Sequence, residues 1–176
     1  MSEVKPLNPD EMATFLAATL VTVEVEMAAM SGGVDGWRPA AGEWCANEVV
    51  GHLIEAEQRG FAGRIRTILA EDRPKLIPWD QPAVAAARRD CDKAGTALAA
   101  EFRALRTASL ELVRALRPAD LDRVGIHPAV GELSIRDLLG EWVHHDRNHV
   151  RQLLANTQAR VWPQMGNSQR FSALDG

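Results

Sequence analysis

Between Pro82 and Arg117 the apolar residues Val84, Ala87, Cys91, Ala94, Leu98, Phe102, Leu105, Leu112 and Leu116 recur at alternating steps. Their mean spacing of about 3.5 residues is the seam a helix needs to pack lengthwise against other helices. It predicts one long bundle helix over 82–117, ended by Pro118. A chain that commits so much length to such a seam must supply partner helices to cover it.

The remainder of the chain supplies them. Asn8-Pro9-Asp10-Glu11 reads as an N-cap, a proline at N1 and a glutamate at N3, so a helix follows to about Met30 and stops at Ser31-Gly32-Gly33. A second helix starts near Cys45, where Cys45-Ala46-Asn47-Glu48 imitates a capping box, and runs until Pro74 and Pro78 open a loop over 71–81. Ser134-Ile135-Arg136-Asp137 caps a fourth helix to about Asn156. Residues 118–133 read as loop, and 157–176 as a tail with a short terminal helix. No strand pattern emerges. The expectation is an all-α four-helix bundle with long connecting loops, forming a single domain over 1–176.

Charge and cysteine content narrow the classes of function. Net charge is −4, and the basic residues are scattered. Neither nucleic acid nor an anionic membrane is an expected partner. No run approaches 18 consecutive apolar residues, and the first ten residues lack the apolar core of a signal peptide. Cys45 and Cys91 form no CxxC and suggest no disulfide framework, so reduced thiols in a cytoplasmic protein are the simplest reading.

Chemistry concentrates in three histidines. His145 and His149 are four residues apart on the fourth helix, which places both imidazoles on one face. His52 lies on the second helix. Both helices place these residues at the margin of the apolar stripe, so the three can meet at one mouth of the bundle around a metal ion. His144 points elsewhere. Imidazole suits several divalent ions, with zinc or nickel those expected here.

Other residues allow two readings. Glu57 and Asp146 fall near the centre of apolar stripes, where a carboxylate needs a hydrogen bond or a counter-charge. A structural bond is the commoner role; orienting a ligand or accepting a proton is the alternative. Arg64 is a candidate partner for Glu57, alongside indoles and loop amides. Trp37, Trp44 and Trp79 sit in or beside loops, either packing them or lining a cleft. His127 reads as a turn residue that could also reach the metal end. Cys45 starts the helix of His52, where the dipole would lower a thiol pKa.

Several of these segments resemble the DinB-like family. Trp37-Arg38-Pro39 and Glu43-Trp44 precede Gly51-His52-Leu53 with Glu57. Gly125 to Leu139 lead into Trp142 and His145-Asp146-Arg147-Asn148-His149-Val150-Arg151-Gln152, and Met165-Gly166 with Phe171 resemble the family's tail. The resemblance implies a four-helix bundle, a divalent metal on His52, His145 and His149, a bacterial setting and a homodimer. It includes relatives that transfer groups to low-molecular-weight thiols. A metal-dependent enzyme joining a small molecule to such a thiol is therefore the first expectation. A metal-dependent hydrolase, or a non-catalytic metal- or ligand-binding stress protein, is the alternative.

Overall fold

The computed structural model describes residues 5–172. Helix α1 (Pro9–Ala29) starts where its cap predicts: the Asn8 side chain accepts from Glu11 N–H, and the Glu11 carboxylate accepts from Asn8 N–H. Helices α2 (Ala46–Glu55) and α3 (Ala62–Ala70) follow, then α4 (Gln81–Arg88) and α5 (Gly95–Arg114). A hairpin of β1 (Val124–His127) and β2 (Gly131–Ser134) precedes α6 (Ile135–Val161), and α7 (Gln169–Ser172) closes the described chain. The four-helix bundle consists of α1, the α2–α3 unit, α5 and α6, with α1 packed on α5 and α6 and α2 on the same two helices. One apolar cluster joins Leu16, Phe61, Ile65, Val113, Leu138 and Trp142; a second joins Val23, Val50, Leu53, Leu98, Phe102 and Leu153.

By length and composition α1 is apolar enough to cross a membrane. Here its Ala13, Leu16, Thr19, Val23 and Met27 are buried within the bundle, as in any helix that contributes to a core.

Four expectations need correction. The seam over 82–117 does not belong to one helix. Arg89 takes a left-handed conformation (φ 51°), and a single 3-10 turn, Asp90–Asp92, separates α4 from α5. The break is held from inside: Asp90 is buried and accepts from Arg88 Nε at 2.7 Å and from Lys93 Nζ at 2.8 Å. Gly51 admits this turn, since a Cβ there would lie 1.8 Å from Asp90 Oδ2.

Second, Cys45 and Cys91 are joined in a disulfide, with Cα atoms 6.4 Å apart. This overturns the expectation of reduced thiols and removes the argument drawn from them for a reducing compartment. Neither cysteine is a thiol at a helix start.

Third, the 118–133 segment is not all loop. Antiparallel pairing of Val124 with Ser134 and His127 with Gly131 makes the hairpin. On its other side β1 also exchanges backbone bonds with the preceding loop, Leu76 N–H to Ile126 O at 2.9 Å and Ile126 N–H to Pro74 O at 2.8 Å. That loop carries Trp79.

Fourth, the second helix does not run through unbroken. Between α2 and α3 the chain widens into a π-turn, Ala56–Gly60, closed by a bond from Phe61 N–H to Ala56 O at 2.9 Å. Such turns insert one extra residue and often mark functional sites. Gly63 makes room for it, since a Cβ there would lie 1.9 Å from Gln58 O.

Candidate metal centre

His52 lies in the last turn of α2, and His145 and His149 lie mid-way along α6. The packing of α2 on α6 brings the three together, so that one ring nitrogen from each falls within 4.8 Å of the others. His52 Nε2 and His145 Nε2 face each other at 2.9 Å. His144, one residue from His145, is exposed on another face. Gln152 Oε1 accepts from His149 Nδ1 at 3.0 Å, which fixes the ring and leaves Nε2 with its lone pair free.

The electrostatics favour neutral rings. Burial, then the neighbouring His149 and His145, push His52 down to about 3. Burial, then His149 and Arg106, push His145 down to about 3. Burial also lowers His149, against the opposing pull of Gln152 and Asp146. Three converging, deprotonated imidazoles are the donor set a divalent ion of intermediate softness requires. The residues present therefore fit such an ion.

Aromatic rings wall the cluster. Trp44 stacks on His149 with centroids 6.2 Å apart, and Trp79 stacks on His52 at 5.8 Å. Two of the three loop tryptophans thus line the site. Phe61 meets His145 edge-on at 5.2 Å and stacks on Trp142 at 5.3 Å, which sets the rear wall.

Beneath the cluster lies a buried ion network. Arg106, fully buried, donates Nε to Glu57 Oε1 at 2.6 Å and Nη1 to Asp146 Oδ2 at 2.6 Å and to Leu16 O at 2.9 Å. Ser109 Oγ donates to Glu57 Oε2 at 2.5 Å. Burial opposes the charge on Arg106, but Asp146 and Glu57 outweigh it and raise its pKa. Arg64 is not the partner of Glu57; Arg106 is. The sequence signal for Arg106 was indirect: two carboxylates inside apolar stripes require a cation, and only a helix packed against both can bring one. The carboxylate of Asp146 is spent on Arg106, so it acts in the core beside the cluster.

A cavity of about 620 Å³ opens from His145 between the π-turn, the hairpin and the first turns of α6. Phe61, Arg64, Trp79, His127, Leu138 and Glu141 are among its walls. Its volume falls in the range of small-molecule sites. His127 belongs to this wall and stays outside the histidine cluster.

Residues 24–153 match the family model of the DinB superfamily. The chain belongs to that superfamily. It is 24% identical over 122 residues to the putative metal-dependent hydrolase OB0782 of Oceanobacillus iheyensis, covering 69% of this chain and 70% of that one. It is 25% identical over 153 residues to YuaE of Bacillus subtilis, covering 81% and 94%. The solved structure of YfiT from Bacillus subtilis, described as a probable metal-dependent hydrolase with an unusual four-helix bundle topology, superposes with a TM-score of 0.77. It covers 90% of each chain at 19% identity, a likeness of fold.

Proposed function

We propose that this DinB-superfamily chain is a metal-dependent hydrolase of a small substrate, with His52, His145 and His149 holding one divalent ion. The observation that carries the reading is the meeting of three neutral imidazoles, one of which, His145, lines a cavity of about 620 Å³. The name of the Oceanobacillus relative supports hydrolysis. Zinc is the ion best suited to three imidazoles with open positions, and nickel is the next. When bound, the ion would polarise a substrate oxygen and lower the pKa of a nucleophile beside it.

The protein's own groups have distinct tasks. Gln152 orients His149 through Nδ1. Trp44, Trp79 and Phe61 exclude water from the histidine side of the cavity. Glu141, exposed on the cavity wall one helical turn before His145 and without a hydrogen-bond partner among the described residues, is the residue placed to take a proton.

Thiol transfer is the second reading. Neutral ligands leave the ion's full charge uncompensated, and that charge stabilises a thiolate. The same experiment separates the two. Untagged protein should carry a stoichiometric ion by elemental analysis, lost in His52→Ala, His145→Ala and His149→Ala and kept in His144→Ala. Ester or amide cleavage that needs the ion and no thiol supports the hydrolase. Turnover only with an added low-molecular-weight thiol moves the assignment to transfer. Loss of the ion in His144→Ala with retention in His145→Ala would overturn the site.

A further inference from the structure

The buried Arg106 and the half-buried Arg88 find carboxylates. Arg106 is held by Glu57 and Asp146, and Arg88 by Glu55 and Asp90. Arg64 does not. It stands on α3 in the cavity wall, its Nε is shut off from solvent, and that atom has no hydrogen-bond partner. Burial lowers its pKa, with no acidic group to oppose the effect. The enclosed Nε is out of reach of the cavity, so the outer guanidinium nitrogens, which pair with no carboxylate among the described residues, are what an entering anion would meet.

The cavity's own acids do not serve. Asp137 is occupied in the cap of α6, accepting from Ser134 N–H at 2.9 Å and from Ser134 Oγ at 2.7 Å. Glu141 lies farther along α6 and makes no ion pair with Arg64 among the described residues. On the hairpin wall, His127 Nδ1 accepts from Ala129 N–H at 3.3 Å, so in the neutral ring Nε2 carries the proton and is a donor. Burial, then the charge of Arg64, holds His127 below its ordinary pKa and keeps it in that neutral form. Apart from Gln81 and His145, the remaining walls are apolar, among them Phe61, Trp79, Val130 and Leu138.

We propose that this cavity recognises an anionic group, carboxylate or phosphate, carried on an apolar body, with Arg64 as the anchor and His127 as a second donor. The proposal rests on the reading of the cavity as the substrate site and names the class of that substrate: one end at the three histidines, an apolar middle, and an anion on Arg64. A planar guanidinium fork matches either anion with two parallel bonds.

Calorimetric titration of the whole chain, metal-loaded and chelated, tests it with phenylacetate, phenylphosphate and the neutral phenylacetamide. Chelated protein should bind an anion at least about tenfold tighter than the amide, a ratio expected of a charge-assisted bond. Whichever anion is preferred identifies the group. R64Q should lose that preference, the anion affinity falling to that of the amide, while R64K should keep part of it. His149→Ala should lose the metal and keep the anion, which separates failure of the anchor from failure of the metal reading. Equal binding of acid and amide by the wild type, or full anion binding in R64Q, overturns the proposal even where metal-dependent cleavage is found. If R64Q does not fold, the wild-type ratio and R64K decide.

Discussion

Arg106 shows how one side chain constrains the region beneath the site. It draws α5 onto the π-turn through Glu57, onto α6 through Asp146 and onto α1 through Leu16 O. Removing Asp146 leaves Arg106 its pairing with Glu57 but strips buried guanidinium N–H groups of their acceptor. Asp146→Ala should therefore lower stability in urea by about 1–3 kcal/mol, while metal content falls less than in His145→Ala. Unchanged stability with loss of metal would make Asp146 part of the ion's own shell. The histidines give a second expectation, for chelated protein. His52 and His145 are held at about 3, while in the unfolded chain they return to 6.5. Below 6.5 the unfolded chain then binds more protons than the folded one, so stability must fall as pH drops from about 6.5 towards 3. Above that window the two residues contribute no pH dependence. The melting temperature should decline across the window, and less steeply in His52→Ala; identical slopes would show that these rings do not control it. The histidine pair was legible in the sequence because four-residue spacing on a helix fixes a face with no knowledge of the rest of the fold. Arg106 was not, because it adjoins Leu105 of the apolar seam and a lone arginine there looks like the solvated flank.

Among the elements, those fixed by local chemistry were readable and those fixed by distant contacts were not. The Asn8 and Ser134 caps started α1 and α6 where their side chains predicted. The break at Arg89 was hidden because the apolar period continues across it; what interrupts the helix is Asp90, turned inward against Gly51, and Cys91, bonded to Cys45. The hairpin was hidden because each strand has only four residues and β1 also pairs with a loop from elsewhere in the chain. The disulfide connects the start of α2 to that break across a separation of 46 residues. Closing a loop of this length restricts the unfolded chain and should contribute about 2–4 kcal/mol. Reduction, or Cys91→Ser, should lower the melting temperature accordingly. Bound metal should stay, because His52 lies near the other end of α2. Loss of metal on reduction alone would mean that the bond positions His52 directly.

At the scale of the whole molecule, the bundle should stand without its ion. Two apolar clusters, rather than the histidine cluster, account for its core, unlike small domains that fold only around zinc. Chelation should leave helical circular dichroism unchanged at 25 °C, and it should lower the melting temperature by an amount that grows with the metal concentration of the reference sample. Loss of the helical signal would place the ion among the conditions for folding. The π-turn then acquires a meaning of its own. It is a counting device set between the two halves of the site: His52 lies before it, Arg64 after it. Deleting the exposed Gln58 would take out that extra residue and return the turn to ordinary helix, with α3 keeping its orientation to α2. His52 and Arg64 would both hold their places, so the widened turn is where this helix takes up a change of chain length without re-aiming either residue.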